Sequence, residues 1–180
     1  MENDLEIEIK SKVENLEDLE KKIVLLGAVF LGTEFQNDWY FKHPCRDFSI
    51  TDEALRVRDV NGKLFLTYKG KRIDNETKTR KEIEITVDSN IFKILEYLGF
   101  EIFMNIKKVR KNYGLDNVKI SLDYVENLGN FIEMEVHGNY EEGKLKLFSL
   151  AEKLSLKKIE RRSYLEMMVN SYEKFWGNHI

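Results

Sequence analysis

Proline is nearly missing from this chain: Pro44 stands alone among 180 residues. Almost every backbone donor is therefore available for pairing, and no proline-rich linker divides the sequence. We expect a single domain spanning residues 1–180. Cysteine is just as scarce. With Cys45 alone, no internal disulfide can form, and the composition fits a reducing compartment, the cytoplasm. The histidines, His43, His137 and His179, are far apart and lack the spacing of a metal site, so they read as surface or packing residues. No apolar run approaches the roughly 20 residues of a spanning helix, and charges begin at Glu2, where a signal peptide would turn apolar. No membrane partner is expected. Net charge is also lacking: 29 basic and 32 acidic side chains leave −3. That balance offers no basic stripe for nucleic acid, and any electrostatic effect must be local.

What the chain does have is alternation. Hydrophobic residues make up 42% of it, enough for a substantial core, and charged residues 34%. In many segments the two classes take turns with the period of a strand. "EIEIKSKV" (6–13), "TEFQNDWYF" (33–41), "RKEIEITV" (80–87) and "GNFIEMEVHG" (129–138) are strand-like. "ALRVRDVNGKLFLTYKG" (54–70) reads as a hairpin around Asn61-Gly62, and a second hairpin turns near 112–117. Helical spacing occurs at 15–28, with Asn15 as a cap, at 90–100, and in two C-terminal segments. About eight strands and four helices result, mostly antiparallel, which predicts an α+β fold: a closed sheet with helices packed outside.

Side chains at i and i+2 share a strand face. Glu6, Glu8 and Lys10 therefore lie together, opposite Ile7 and Ile9. The same rule groups Arg56 with Arg58, Lys108 with Arg110, Glu82 with Glu84, and Glu133 with Glu135. The ordinary fate of such a polar face is solvent. Here, however, the charges are sorted by sign, although like charges placed close together are unfavourable. Paired acids along a strand can converge on a divalent cation, and an all-oxygen set favours Mg²⁺ or Mn²⁺. Clustered Arg and Lys suit an oligophosphate. Both ligands fit if the sheet closes with its polar face inward, a ring of charge that would otherwise be very unfavourable.

In order along the chain, Glu6-x-Glu8-x-Lys10, "QNDWYF", "EALRVR", "LTYKG", "RKEIEI", "KKVRKNY", "LDYVENLGNFIEMEV" and "RSYLEMM" resemble the CYTH family, the triphosphate tunnel metalloenzymes. The likeness runs from about residue 4 to 168 and is nearest the class IV adenylyl cyclase branch. It implies an eight-stranded antiparallel closed β-barrel, a tunnel with a polar interior, that binds a triphosphate with Mg²⁺ or Mn²⁺. Carried over by position, Glu6, Glu8, Glu133 and Glu135 face the metal, with Asp123, Glu82 and Glu84 as further candidates. Lys10, Arg56, Arg58, Lys69, Lys108 and Arg110 hold phosphate, joined by Arg80 and Lys119. Lys10, Arg56, Arg58 and Arg110 form the expected catalytic set; beside strong anions, Lys10 suits phosphate contact better than proton transfer. Tyr164 matches a family position, with helix packing as the other reading. The substrate implied is a nucleoside or organic triphosphate, or inorganic triphosphate, and a homodimer is the family habit. The expected activity is conversion of ATP to cyclic AMP and pyrophosphate. The alternatives are a triphosphatase releasing orthophosphate and a non-catalytic phosphate-binding module.

Overall fold

The protein is described by a computed structural model covering residues 5–72 and 80–176. Its strands are β1 (Leu5–Lys12), β2 (Val29–Lys42), β3 (Ala54–Val60), β4 (Lys63–Arg72), β5 (Arg80–Val87), β6 (Glu101–Leu115), β7 (Val118–Val125) and β8 (Gly129–Gly138). They form one antiparallel sheet in the order β1-β8-β7-β6-β2-β3-β4-β5. The helices are α1 (Leu16–Leu25), α2 (Phe48–Thr51), α3 (Asn90–Tyr97), α4 (Tyr140–Lys153) and α5 (Tyr164–Trp176). No helix among the described residues is long and apolar enough to cross a membrane.

Local chemistry explains the punctuation. Asn15 caps α1 by accepting from the backbone N–H groups of Glu17 (2.8 Å) and Asp18 (3.2 Å), and those acids favour the positive helix end. The β3–β4 hairpin turns on Asn61 (φ 51°) and Gly62 (φ 88°), the two positive φ values that a tight type I′ turn requires. Helix α2 escapes the sequence reading because four residues are too few to display a period.

The alternation sorts the chain into two faces. Outward, Ile7, Ile9, Ile120, Leu122, Ile132, Met134 and Val136 pack beneath Leu19 and Ile23 of α1 and Leu147, Leu150 and Ala151 of α4. Farther round, Val57 and Phe41 pack under Ile91 and Leu95 of α3. Helix α5 covers one end of the curl. Its Tyr164, Met167 and Met168 meet Tyr40, Ile106, Val125 and Phe131, which share strand parity with the inward charges.

The strand pairing shows the eight-stranded antiparallel sheet but not the expected closure of the barrel. The sheet is a curled half-barrel, and among the described residues no backbone ladder joins its edge strands β1 and β5. Both edges present acids inward: Glu6 and Glu8 on one, Glu82 and Glu84 on the other. Glu82 adds to the repulsion felt by Glu6, and like charges facing across a seam oppose its zipping.

Candidate functional site

Cross-strand register assembles the site. In β1/β8, Glu6 faces His137, Glu8 faces Glu135 and Lys10 faces Glu133. In β7/β8, Lys119 faces Glu135 and Ser121 faces Glu133. In β6/β7, Arg110 faces Asp123. Asp38 of β2 lies between Arg58 and Ile106, while Tyr40 faces Arg56. On the far side Lys69 faces Glu82 and Thr67 faces Glu84. Directly opposed residues share a face, so all of these belong to the inward face of the sheet. The strand order then gives it polarity: acids dominate the edge strands β1 and β5 and β8 beside β1, and cations dominate β3 and β6.

The cationic side is built around Asp38, which is fully enclosed. Arg58 donates to both of its carboxylate oxygens (2.6 and 2.7 Å), Lys108 Nζ donates at 3.2 Å, and Arg56 lies 3.7 Å away. Burial opposes ionisation of Asp38, but Lys108, Arg58 and Arg56 outweigh it and hold this carboxyl well below its usual range. Three cations thus share one anion, and Lys108 bears the consequence. Burial and the charges of Arg58 and Arg110 bring its ammonium down to about 7, against the pull of Asp38. A second anchor lies on β7. Asp123 accepts two bonds from Arg110 (2.7 and 2.5 Å) and one from the Tyr164 hydroxyl (2.7 Å). Arg110 also donates to Glu133. Lys10 Nζ is 2.8 Å from Glu133 and 3.6 Å from the centroid of the Tyr164 ring, an ion pair and a cation–π contact on one ammonium.

The acidic side is less evenly matched. Burial raises Glu6 to about 7, aided by the charges of Glu135, Glu82 and Glu8 and opposed by Lys69. The ligand atoms of Glu6, Glu135 and His137 all lie within 4.8 Å of one another. His137 Nε2 is 2.9 Å from Glu135 Oε1, and Lys119 approaches the same carboxylate at 3.6 Å. Toward β5, Lys69 pairs with Glu82 at 2.5 Å. Arg56 donates to Thr67 (3.1 Å), Thr67 donates to Glu84 (2.7 Å), and Glu84 lies 3.6 Å from Arg56. Arg56 Nε is nevertheless buried without an acceptor among the described residues, a costly state for a charged donor.

These groups border a cavity of about 1220 Å³. Glu6, Glu8, Lys10, Arg56, Arg58, Lys69, Glu82, Glu84, Lys108, Arg110, Lys119, Glu133 and Glu135 all line it. Asp123 does not; it lies behind Arg110 with oxygens engaged by Arg110 and Tyr164. Arg80 begins β5, but its side chain lies outside the described residues. The cavity also reaches the segment around α2, including Arg46 and Phe48, and Phe103 of β6. Sequence reasoning missed Asp38 and Thr67, and it set His137 aside. Asp38 had a signal, since it shares strand parity with Gln36 and Tyr40 in a segment otherwise rich in apolar residues. His137 had one too, since it continues the Glu133/Glu135 face by two residues.

Comparison with known proteins adds a lineage. Among protein-family models, that of the CYTH domain matches residues 4–168. A Methanocaldococcus jannaschii protein named as a candidate adenylate cyclase is 38% identical over 171 residues, covering 91% of this chain and 98% of its own. A solved structure from Pyrococcus horikoshii is 40% identical, with a TM-score of 0.85 and coverage of 92% and 99%. A Hippeastrum protein described as an adenylyl cyclase candidate with a dominant triphosphatase activity shares the fold, with a TM-score of 0.67 and 20% identity over 92% of this chain and 96% of that one.

Proposed function

The chain belongs to the CYTH domain family, and from that premise we propose that it is a divalent-cation-dependent adenylyl cyclase converting ATP to cyclic AMP and pyrophosphate. The observation that carries this is the polarity of one cavity, with paired carboxylates along its edge strands and Arg56, Arg58, Lys108 and Arg110 opposite. A metal–triphosphate complex has the matching division of charge.

The residues fit a cation. Glu6 and Glu135 offer convergent oxygens beside His137, and Glu8 lies directly opposite Glu135. A cation bound there neutralises phosphate charge and lowers the pKa of an attacking hydroxyl. The remaining work falls to the protein. Asp38 and Asp123 grip Arg58 and Arg110 through Nε and one Nη, which fixes the guanidinium planes and leaves the other Nη to phosphate. Arg56 Nε, a buried donor lacking an acceptor among the described residues, finds one in a phosphate oxygen. Lys108 regains full charge beside an anion. Lys10, between Glu133 and the Tyr164 ring, contacts phosphate as a cation. In the reaction the ribose 3′-hydroxyl loses its proton to solvent, its oxygen bonds to the α-phosphorus, the α–β bridge breaks, and the basic side holds the departing pyrophosphate. On this reading the curled sheet closes into a tunnel once positive charge lies between its acidic edges.

Cyclisation is preferred to hydrolysis because the cavity extends past the charged strands to Arg46, Phe48 and Phe103, giving a nucleoside an aromatic-lined end. The name of the M. jannaschii relative agrees. The triphosphatase reading is the second, since the charged machinery is indifferent to the group attached to the phosphates and the Hippeastrum neighbour is described as chiefly a triphosphatase. Incubation with ATP and Mg²⁺ or Mn²⁺, followed by chromatography of the products, separates them. Cyclic AMP with pyrophosphate is expected. Orthophosphate without cyclic AMP indicates the triphosphatase, and tight binding with no product from any triphosphate indicates a binding module.

A further inference from the structure

We propose that His137 is itself a metal ligand, completing with Glu6 and Glu135 a mixed nitrogen–oxygen cation site at the rim of the cavity that prefers Mn²⁺ to Mg²⁺. The inference rests on the metal-dependent reading above and deepens it by naming what selects the ion.

Register makes the juxtaposition a property of the sheet. His137 lies directly opposite Glu6 on the neighbouring strand, and Glu135 precedes it by two residues on the same face. The three donor atoms lie within 4.8 Å of one another. The 2.9 Å between His137 Nε2 and Glu135 Oε1 is close to the edge between adjacent ligands of an octahedron, about 3.0 Å for bonds of about 2.1 Å.

A simple ion pair between His137 and Glu135 explains only two of the three groups. It does not account for the Glu6 carboxylate, which brings a third donor atom within 4.8 Å of both. A dication satisfies all three. His137 is exposed while Glu6 and Glu135 are half-buried, so the site opens to solvent and an ion can enter without passing the phosphate-binding cations. Among the described residues the competing cation on this carboxylate is Lys119, at 3.6 Å with a half-exposed side chain, which can swing into solvent. Imidazole disfavours the hard Mg²⁺ ion relative to first-row transition ions, whereas carboxylates alone accommodate Mg²⁺ and Mn²⁺ alike.

The test uses the full chain, stripped of metal by chelation and given no triphosphate. Mn²⁺ binding is followed by the electron paramagnetic resonance of the free ion, and Mg²⁺ by competition. Electron spin-echo modulation reports whether a nitrogen-14 nucleus is bonded to the manganese. We expect a nitrogen coupling in the wild type that disappears in His137→Gln, together with a loss of Mn²⁺ affinity of roughly 10-fold and little change for Mg²⁺. Wild-type Mn²⁺ binding that is lost in Glu6→Gln but unchanged in His137→Gln, with no nitrogen coupling, overturns the role of His137 and leaves the metal reading standing. Failure of the wild type to bind Mn²⁺ at all overturns both.

Discussion

Asp38 shows how one residue sets the terms for its neighbours. It is the anion on which Arg58, Lys108 and Arg56 converge, and removing one member of a buried ionic group strands the others. Asp38→Ala should therefore lower stability by about 3–5 kcal/mol in thermal or denaturant unfolding. Inorganic triphosphate should restore part of the loss, because it supplies negative charge to the same cations. A variant as stable as the wild type, or one indifferent to triphosphate, contradicts this picture. Lys108 has a signature in pH. Its ammonium titrates near 7 when folded but near 10.5 when unfolded. Between those values the unfolded chain holds more protons, so the penalty from this group is complete below about 7 and fades as pH rises toward 10.5. Lys108→Met lacks it. The stability of the wild type relative to Lys108→Met should climb with pH across that window, and a flat difference contradicts the assigned environment.

At the scale of elements, the site depends on how β1 lies against β8. Helix α4 holds the pair from outside, approaching so closely that a Cβ on Gly143 would meet Val136 Cγ1 at 2.9 Å and Ile7 Cδ1 at 3.0 Å. Those residues adjoin Glu6, Glu8, Glu135 and His137 in sequence. Gly143→Ala gains helix propensity of about 1 kcal/mol but overpacks by about 1–3 kcal/mol. We expect a net loss of about 1 kcal/mol, seen as a lower Tm, and weaker Mn²⁺ binding as the ladder shifts. A raised Tm with unchanged Mn²⁺ affinity refutes this account of the contact. Strands such as β1 and β8 and their faces were legible in sequence because their inward charges alternate with apolar residues, and "EIEIK" or "FIEMEV" cannot be slipped by one without burying charge. Asn61-Gly62 announced its hairpin. Strand parity alone marked the faces of Asp38 and His137 but not their roles, because the partners that define those roles lie on other strands: Asp38 meets β3 and β6, and His137 meets β1 as well as Glu135 of its own strand. The four residues of α2 carry no period, and the seam between β1 and β5 depends on charges far apart in sequence.

For the whole molecule, strand order turns a list of charges into a polarised cavity. Sequence placed Glu6, Glu8, Glu82, Glu84, Glu133 and Glu135 on inward faces but said nothing of their neighbours. The order β1-β8-β7-β6-β2-β3-β4-β5 puts the acidic strands at the two edges and the basic ones toward the middle. Curling then brings the edges near each other, opposite Arg58, Lys108 and Arg110. The measurement that tests this most directly is a crystal structure with a nonhydrolysable ATP analogue and Mn²⁺. We predict phosphate oxygens within hydrogen-bonding reach of Arg58, Lys108 and Arg110, manganese on Glu6 and Glu135, and the ribose 3′-hydroxyl turned toward the α-phosphorus. An analogue seated away from the concave face, with Glu135 and Arg58 sharing no ligand, would contradict it.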